Sequence, residues 1–253
     1  MKYLHTADLA RAAGVHPNTV RRYEERGLLP PVERGANGYR RFTQRHLDCL
    51  RVARLVHLDT YPGRAFRRSA NTVLERALAD DWAGALERGR AHLAFVRAER
   101  AQAEAAAALL ERWAAGAAGE TTGDATRQPL RIGPVARLLG VSIDMLRNWE
   151  RNGLATIPRD GENGYRMYRP TDIGRLRVIR LLSRVGYSQM AILRMMLQLD
   201  RGVMTNLRDA LDTPRPDEDV YTAADRWLTT LAAQDEVATR LVATLAEIAT
   251  SRA

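Results

Sequence analysis

The chain has 253 residues, 45% of them hydrophobic, with one cysteine and a net charge of +9. That length supports one large domain or two small ones with real cores. A lone cysteine, Cys49, excludes a disulfide framework and a cysteine-rich metal site, and no apolar run is long enough to span a bilayer. No secretory signal opens the chain, so a cytoplasmic location is expected. The charge is unevenly placed: residues 1–68 carry +8, residues 127–201 carry another +8, and the remainder carries −7. Two concentrated basic blocks are the electrostatic footprint of a polyanion.

In chain order, TADLARAA at 6–13 puts Ala7, Leu9, Ala10 and Ala13 at helical spacing, with Thr6 as the expected N-cap and Gly14 as the turn. HPNTVRRYEERG follows, with Pro17 near a first helical turn and Gly27 at the stop. Two short helices joined through a glycine predict a helix-turn-helix. NGYRRF at 37–42 then predicts a hairpin, a wing, with Asn37-Gly38 in a two-residue type I′ turn. Thr43 is placed to cap a third helix whose core positions are Leu47, Leu50 and Leu55.

Residues 82–115 read as one long helix. Leu86, Leu93, Ala107 and Ala114 fall at one heptad position, and Val96, Ala103 and Leu110 at the other; Arg100 interrupts the seam. GAAGETTGDATRQP at 116–129 is a linker. The pattern then begins again. Gly14 returns as Gly140 and NGYRRF as NGYRMY at 163–168, at a constant offset of 126. About a third of positions from 6 to 61 are identical at that offset, among them Arg21/Arg147, Glu24/Glu150, Tyr39/Tyr165 and Arg40/Arg166. The chain is an internal duplication. A Pro- and acid-rich loop at 212–219 precedes a second long helix at 221–250. Its seam is Ala224, Leu231, Ala238 and Leu245, with Trp227, Leu241 and Ile248 near the other position.

Helix, turn, recognition helix, Gly-Leu stop and Gly-Tyr-Arg wing occur in that order, twice. The pattern resembles the winged helix-turn-helix of the MerR family of bacterial transcription regulators, over residues 3–66 and 130–196. The expected fold class is mainly α: two winged helix-turn-helix domains with small β-hairpin wings, each followed by a long coiled-coil helix. The expected organisation is a first domain at 1–81, long helix 82–115, linker 116–129, second domain 130–211 and long helix 220–251. The resemblance implies double-stranded promoter DNA and RNA polymerase as partners, in a cytoplasmic, nucleoid-associated regulator that twists an over-long promoter spacer. Such proteins obtain two readers by homodimerising. This chain carries both, so a single-chain pseudo-dimer with non-identical half-sites is expected, and a homodimer with four readers is the alternative.

The candidate DNA-binding residues are Asn18, Thr19, Arg21, Arg22 and Tyr23 on the first recognition helix, with Tyr39, Arg40 and Arg41 on its wing. In copy two they are Asp144, Arg147, Asn148, Trp149, Tyr165 and Arg166. Trp149 stands where copy one has Tyr23, keeping an indole donor. Trp82 and Trp227 near the long-helix starts either anchor those helices, the favoured role, or line a pocket for a small-molecule effector. His46 and Cys49 are three apart, but their counterparts, Asp172 and Arg175, cannot form the same site, and no metal or other cofactor is expected. No nucleophile–base set, phosphate loop or paired acids point to catalysis. A ligand-binding protein of the same fold and an architectural DNA-binding protein are the alternatives to a regulator.

Overall fold

A computed structural model describes residues 3–57, 61–114, 128–161, 163–203, 205–214 and 223–252. The described chain is mainly helical and divides into two compact units: Met1–Ala98 with Leu231–Ala253, and Glu99–Thr230. No helix among these residues is long and apolar enough to cross a membrane.

In the first unit, α1 (Thr6–Ala13) and α2 (Pro17–Glu25) form the helix-turn-helix. Gly14 takes φ +63°, and the Val15 amide donates back to the Ala10 carbonyl at 2.9 Å. A side chain there would strain the left-handed backbone that closes the turn. The N-cap of α1 is His5 rather than Thr6; the Asp8 carboxylate accepts from the His5 amide at 3.2 Å. Leu9, Ala10, Ala13 and Val20 bury the inner faces.

The wing pairs β1 (Glu33–Arg34) with β2 (Arg40–Arg41), antiparallel, with Arg34 opposite Arg40. Its turn differs from the expected type I′. Only Gly38 has positive φ, and the Gly35 amide donates to the Tyr39 carbonyl at 2.8 Å across three residues. Asn37 instead lends its side chain, which accepts from the Tyr39 amide at 3.3 Å. An Asx turn needs no left-handed asparagine.

α3 (Gln44–Val56) starts at Thr43, as expected, and runs through the core with Cys49, Leu50, Val52 and Ala53 fully buried. α4 (Arg64–Leu78) packs on α3 through Ala70, Val73, Leu74 and Ala77. The first part of α5 (Trp82–Ala114) and the latter part of α11 (Trp227–Arg252) complete this core with Trp82, Ala85, Leu241, Leu245 and Ile248. The two helices run antiparallel. Arg97 pairs with Asp235 at 3.1 Å, a Cβ on Gly89 would meet Leu245 at 2.7 Å, and the Arg252 guanidinium lies 4.8 Å from the Trp82 ring centre. Leu86 and Leu93, expected in the α5 seam, are half-buried; Ala85, Gly89, His92 and Val96 form the buried line.

In the second unit, α6 (Ile132–Leu139), α7 (Ile143–Arg151), α8 (Pro170–Arg184) and α9 (Gln189–Asp200) repeat the plan. Gly140 has φ +59° with the same closing bond from Val141 to Ala136. The second wing is held by bridges at Leu130–Tyr168 and Arg159–Arg166. The sequence pattern did not mark α10 (Leu207–Asp212). It is tied down by Arg194, buried at 4% exposure, which donates to the carbonyls of Ala210, Leu211 and Asp225. A 3-10 turn at Ala223–Arg226 precedes α11, whose first turn is capped by Asp212 accepting from the Thr229 amide and hydroxyl. Most of the expected linker and of the 212–219 loop, and the Ala224 side chain, lie outside the described residues.

Candidate nucleic-acid interface

Each wing is fastened to its recognition helix by the same pair. Arg40 Nε donates to Glu24 Oε2 at 2.5 Å, and Arg166 Nε donates to Glu150 Oε1 at 2.7 Å. The hydrogen bond Arg166 donates to Glu150 raises the Arg166 pKa above its already high ordinary value. Such charge-assisted bonds orient a guanidinium while its outer nitrogens stay available to an anion. The wing tips present Tyr39 and Tyr165, 67% and 56% exposed. Arg131 stacks on the Tyr165 ring at 4.8 Å, and Arg41 on Tyr3 at 5.1 Å.

The recognition helices part company in their chemistry. On α2, Asn18, Arg21 and Arg22 are exposed and Thr19 and Tyr23 half-buried. His16 caps the helix by accepting from the Asn18 amide at 3.2 Å. On α7 the exposed residues are Ile143, Asp144, Met145 and Arg147, with Asn148 half-buried. Ser142 Oγ caps that helix from the Met145 amide at 3.0 Å. Asp144 and Arg147 face each other at 3.4 Å on open surface.

Trp149 departs from expectation. It is 2% exposed, a core residue, and has no surface to offer DNA. Without a hydroxyl demanding water, the indole is pulled inward by the area it buries. Tyr23, at the same place in copy one, stays half-buried beside a cleft of about 460 Å3.

That cleft gathers residues the sequence did not single out. Arg26 and Arg67 join Thr19, Arg22 and Tyr23 along its wall, with His57 and Tyr61. The Tyr61 hydroxyl donates to the Val56 carbonyl at 2.6 Å, and burial pushes its pKa up to about 12. Burial, then Arg26 and Arg67, lower the His57 pKa below its ordinary value. The spacing of Arg22 and Arg26, one helical turn, was the readable signal; Arg67 comes from α4 and needed the fold. At the matching places copy two has Met145, Asn148, Asn152 and Leu193.

Trp82 and Trp227 are 7% and 4% exposed. Trp82 donates to Asp80 at 2.7 Å, and the Trp227 ring packs against Gly186 so closely that a Cβ there would sit 2.5 Å away. Neither lines this cleft. His46 spends its ring on the α3 cap: Nδ1 accepts from the Thr43 amide at 3.0 Å, while Nε2 faces the Pro31 carbonyl at 3.3 Å. Cys49 is buried against the Ala77 carbonyl, with its pKa pushed up to about 12.

The family model described as "MerR family regulatory protein" matches residues 5–42, and that described as "MerR HTH family regulatory protein" matches 130–199. The chain is similar to the HTH-type transcriptional regulator CueR of Escherichia coli O6:H1, 41% identical over 51 residues, 20% of this chain and 38% of that protein. It is similar to the mercuric resistance operon regulatory protein of Bacillus cereus, 35% identical over 71 residues, 28% of this chain and 54% of that protein. It also resembles the nodulation protein NolA of Bradyrhizobium sp., 29% identical over 130 residues, 45% of this chain and 55% of that protein. The chain thus spans between about two fifths and somewhat over half the length of these relatives. No solved structure matches it.

Proposed function

We propose, for a chain that belongs to the MerR family and carries two of its helix-turn-helix domains in tandem, that it is a sequence-specific DNA-binding regulator of transcription and supplies both readers of its operator from one polypeptide. The observation that carries this is the antiparallel run of α5 against α11 inside the first unit, fixed by Arg97–Asp235 and by the close approach at Gly89. A family member with a single domain would have to borrow that second helix from a partner. Here the duplicated copy provides it. The alternative assembly is a homodimer with four readers.

In this reading α2 and α7 enter successive major grooves, about 34 Å apart, on one face of the duplex. Asn18, Thr19, Arg21 and Arg22 meet base edges and phosphates in the first groove. Tyr23, Tyr39, Arg40 and Arg41 hold the backbone beside it. In the second groove Arg147 and Asn148 are the polar readers, Asp144 accepts from a cytosine amino group, and Tyr165 and Arg166 hold the backbone. Trp149 has no part in the contact. The arginine-walled cleft at Arg22, Arg26 and Arg67 takes a phosphate that the second reader cannot match. The domains are those read from the sequence, 1–81 and 130–211, each with its long helix. Distortion of a promoter spacer for RNA polymerase is the mode of action the family resemblance favours.

Selection of bound sites from random DNA tests the proposal. It predicts an asymmetric motif of two unlike half-sites about one helical turn apart. A palindrome overturns the single-chain arrangement. No enriched motif, with affinity that salt alone controls, moves the protein to an architectural role.

A further inference from the structure

The duplication offers a control within one molecule: the seat of a long-helix end on its reader. In the first unit that seat is closed by charge. Arg252 donates to Asp48 at 2.7 Å, and Arg51 to Glu247 at 2.7 Å. Asp48 is 3% exposed, and Arg252 also reaches Asp80 at 3.2 Å. The matching positions on α8, 126 residues later, are Gly174 and Arg177. There the end of α5 presents Leu109, Leu110 and Trp113 instead, and a cavity of about 200 Å3 opens between them and α8. The wall is apolar except for Arg177. That side chain is half-buried and makes no ion pair or side-chain hydrogen bond among the described residues. A guanidinium at the rim of an apolar hollow suits an anion with an apolar body, which buries its ring and forms a charge-assisted hydrogen bond at the rim.

We propose that this cavity binds a small aromatic carboxylate, its ring among Leu109, Leu110, Trp113 and Val178 and its carboxylate on Arg177. A dry hollow of roughly 150 Å3 admits a benzene ring, so this one holds a ring with a carboxylate at the rim. The Trp113 indole, 3.7 Å from where a Cβ on Gly174 would stand, closes one side. The site is separate from Trp82 and Trp227 and does not depend on the DNA-binding reading.

Calorimetry on the full chain tests it, with benzoate as the probe and benzamide as its neutral near-isostere. Benzoate binds about tenfold or more tightly than benzamide, the worth of a charge-assisted hydrogen bond. Arg177→Gln removes that preference and leaves benzamide binding in place. Gly174→Asp, which copies the first unit's residue into the second, meets only ordinary contact with Trp113 and abolishes benzoate binding with unchanged helix content by circular dichroism. Absence of benzoate binding at millimolar concentration overturns the proposal. So does equal affinity for benzamide, or an unchanged preference in Arg177→Gln.

Discussion

Where the first reader has Arg22, Arg26 and Arg67 around a cleft, the second has Asn148, Asn152 and Leu193; where the first has Thr19, the second has Met145. The helix-turn-helix backbones are closed by the same glycines and the wings clamped by the same Arg–Glu pairs. Duplication kept the parts that set geometry and released the parts that face outward. In the proposed function, these two scaffolds held alike read unlike halves of one operator, the first mainly by charge and the second mainly by shape and a few polar groups.

The largest effect should come from the core that the first unit builds on its long helices. Leu245→Ala removes a fully buried side chain where α11 meets α5 and should cost about 2–5 kcal/mol in urea unfolding. Hydrogen exchange should rise in the first unit and not in the second; equal loss in both would erase the distinction. Gly89→Val, forced against Leu245, should cost about 1–3 kcal/mol by the same measurement.

Next comes the salt dependence. Arg22→Ala with Arg67→Ala should lower the slope of log affinity against log salt by about 0.9, the worth of the one phosphate their cleft takes. Asn148→Ala should leave the slope unchanged. Equal slopes in the two variants would mean the readers grip phosphate alike.

The smallest effect concerns pH. All five histidines lie within the first 92 residues, so the second unit has none. Burial lowers the pKa of His46, His57 and His92 below 6.5. A neutral group that must charge on protonation contributes stability present above its unfolded pKa and lost as pH falls through the folded one. Exchange in the first unit should therefore quicken as pH falls below 6.5, once corrected for the intrinsic rate. The second unit should hold until lower pH, where Asp200 loses its Arg175 partner; Arg175 keeps that carboxyl below its usual 3.8. Parallel loss in both units from pH 6.5 would contradict this.

Elements, their order and the duplication were legible because helix periodicity and glycine punctuation act locally. The failures share a cause too. His5 replaced Thr6 as cap because the Asp8 carboxylate decides the start, and Asn37 avoided the left-handed region because its own side chain closed the turn. Trp149 reads like a surface aromatic, yet its burial depends on what packs over it. Arg67 in the cleft and Gly174 beside Trp113 carry no local signature; each matters through a residue on another helix.

The mass of the protein–DNA complex tests the central claim most directly, measured by light scattering on a duplex carrying one selected operator. The single-chain arrangement predicts one 28.3 kDa chain per duplex at saturation. Two chains per duplex would contradict it and restore a homodimer, with each chain lending one helix to its partner.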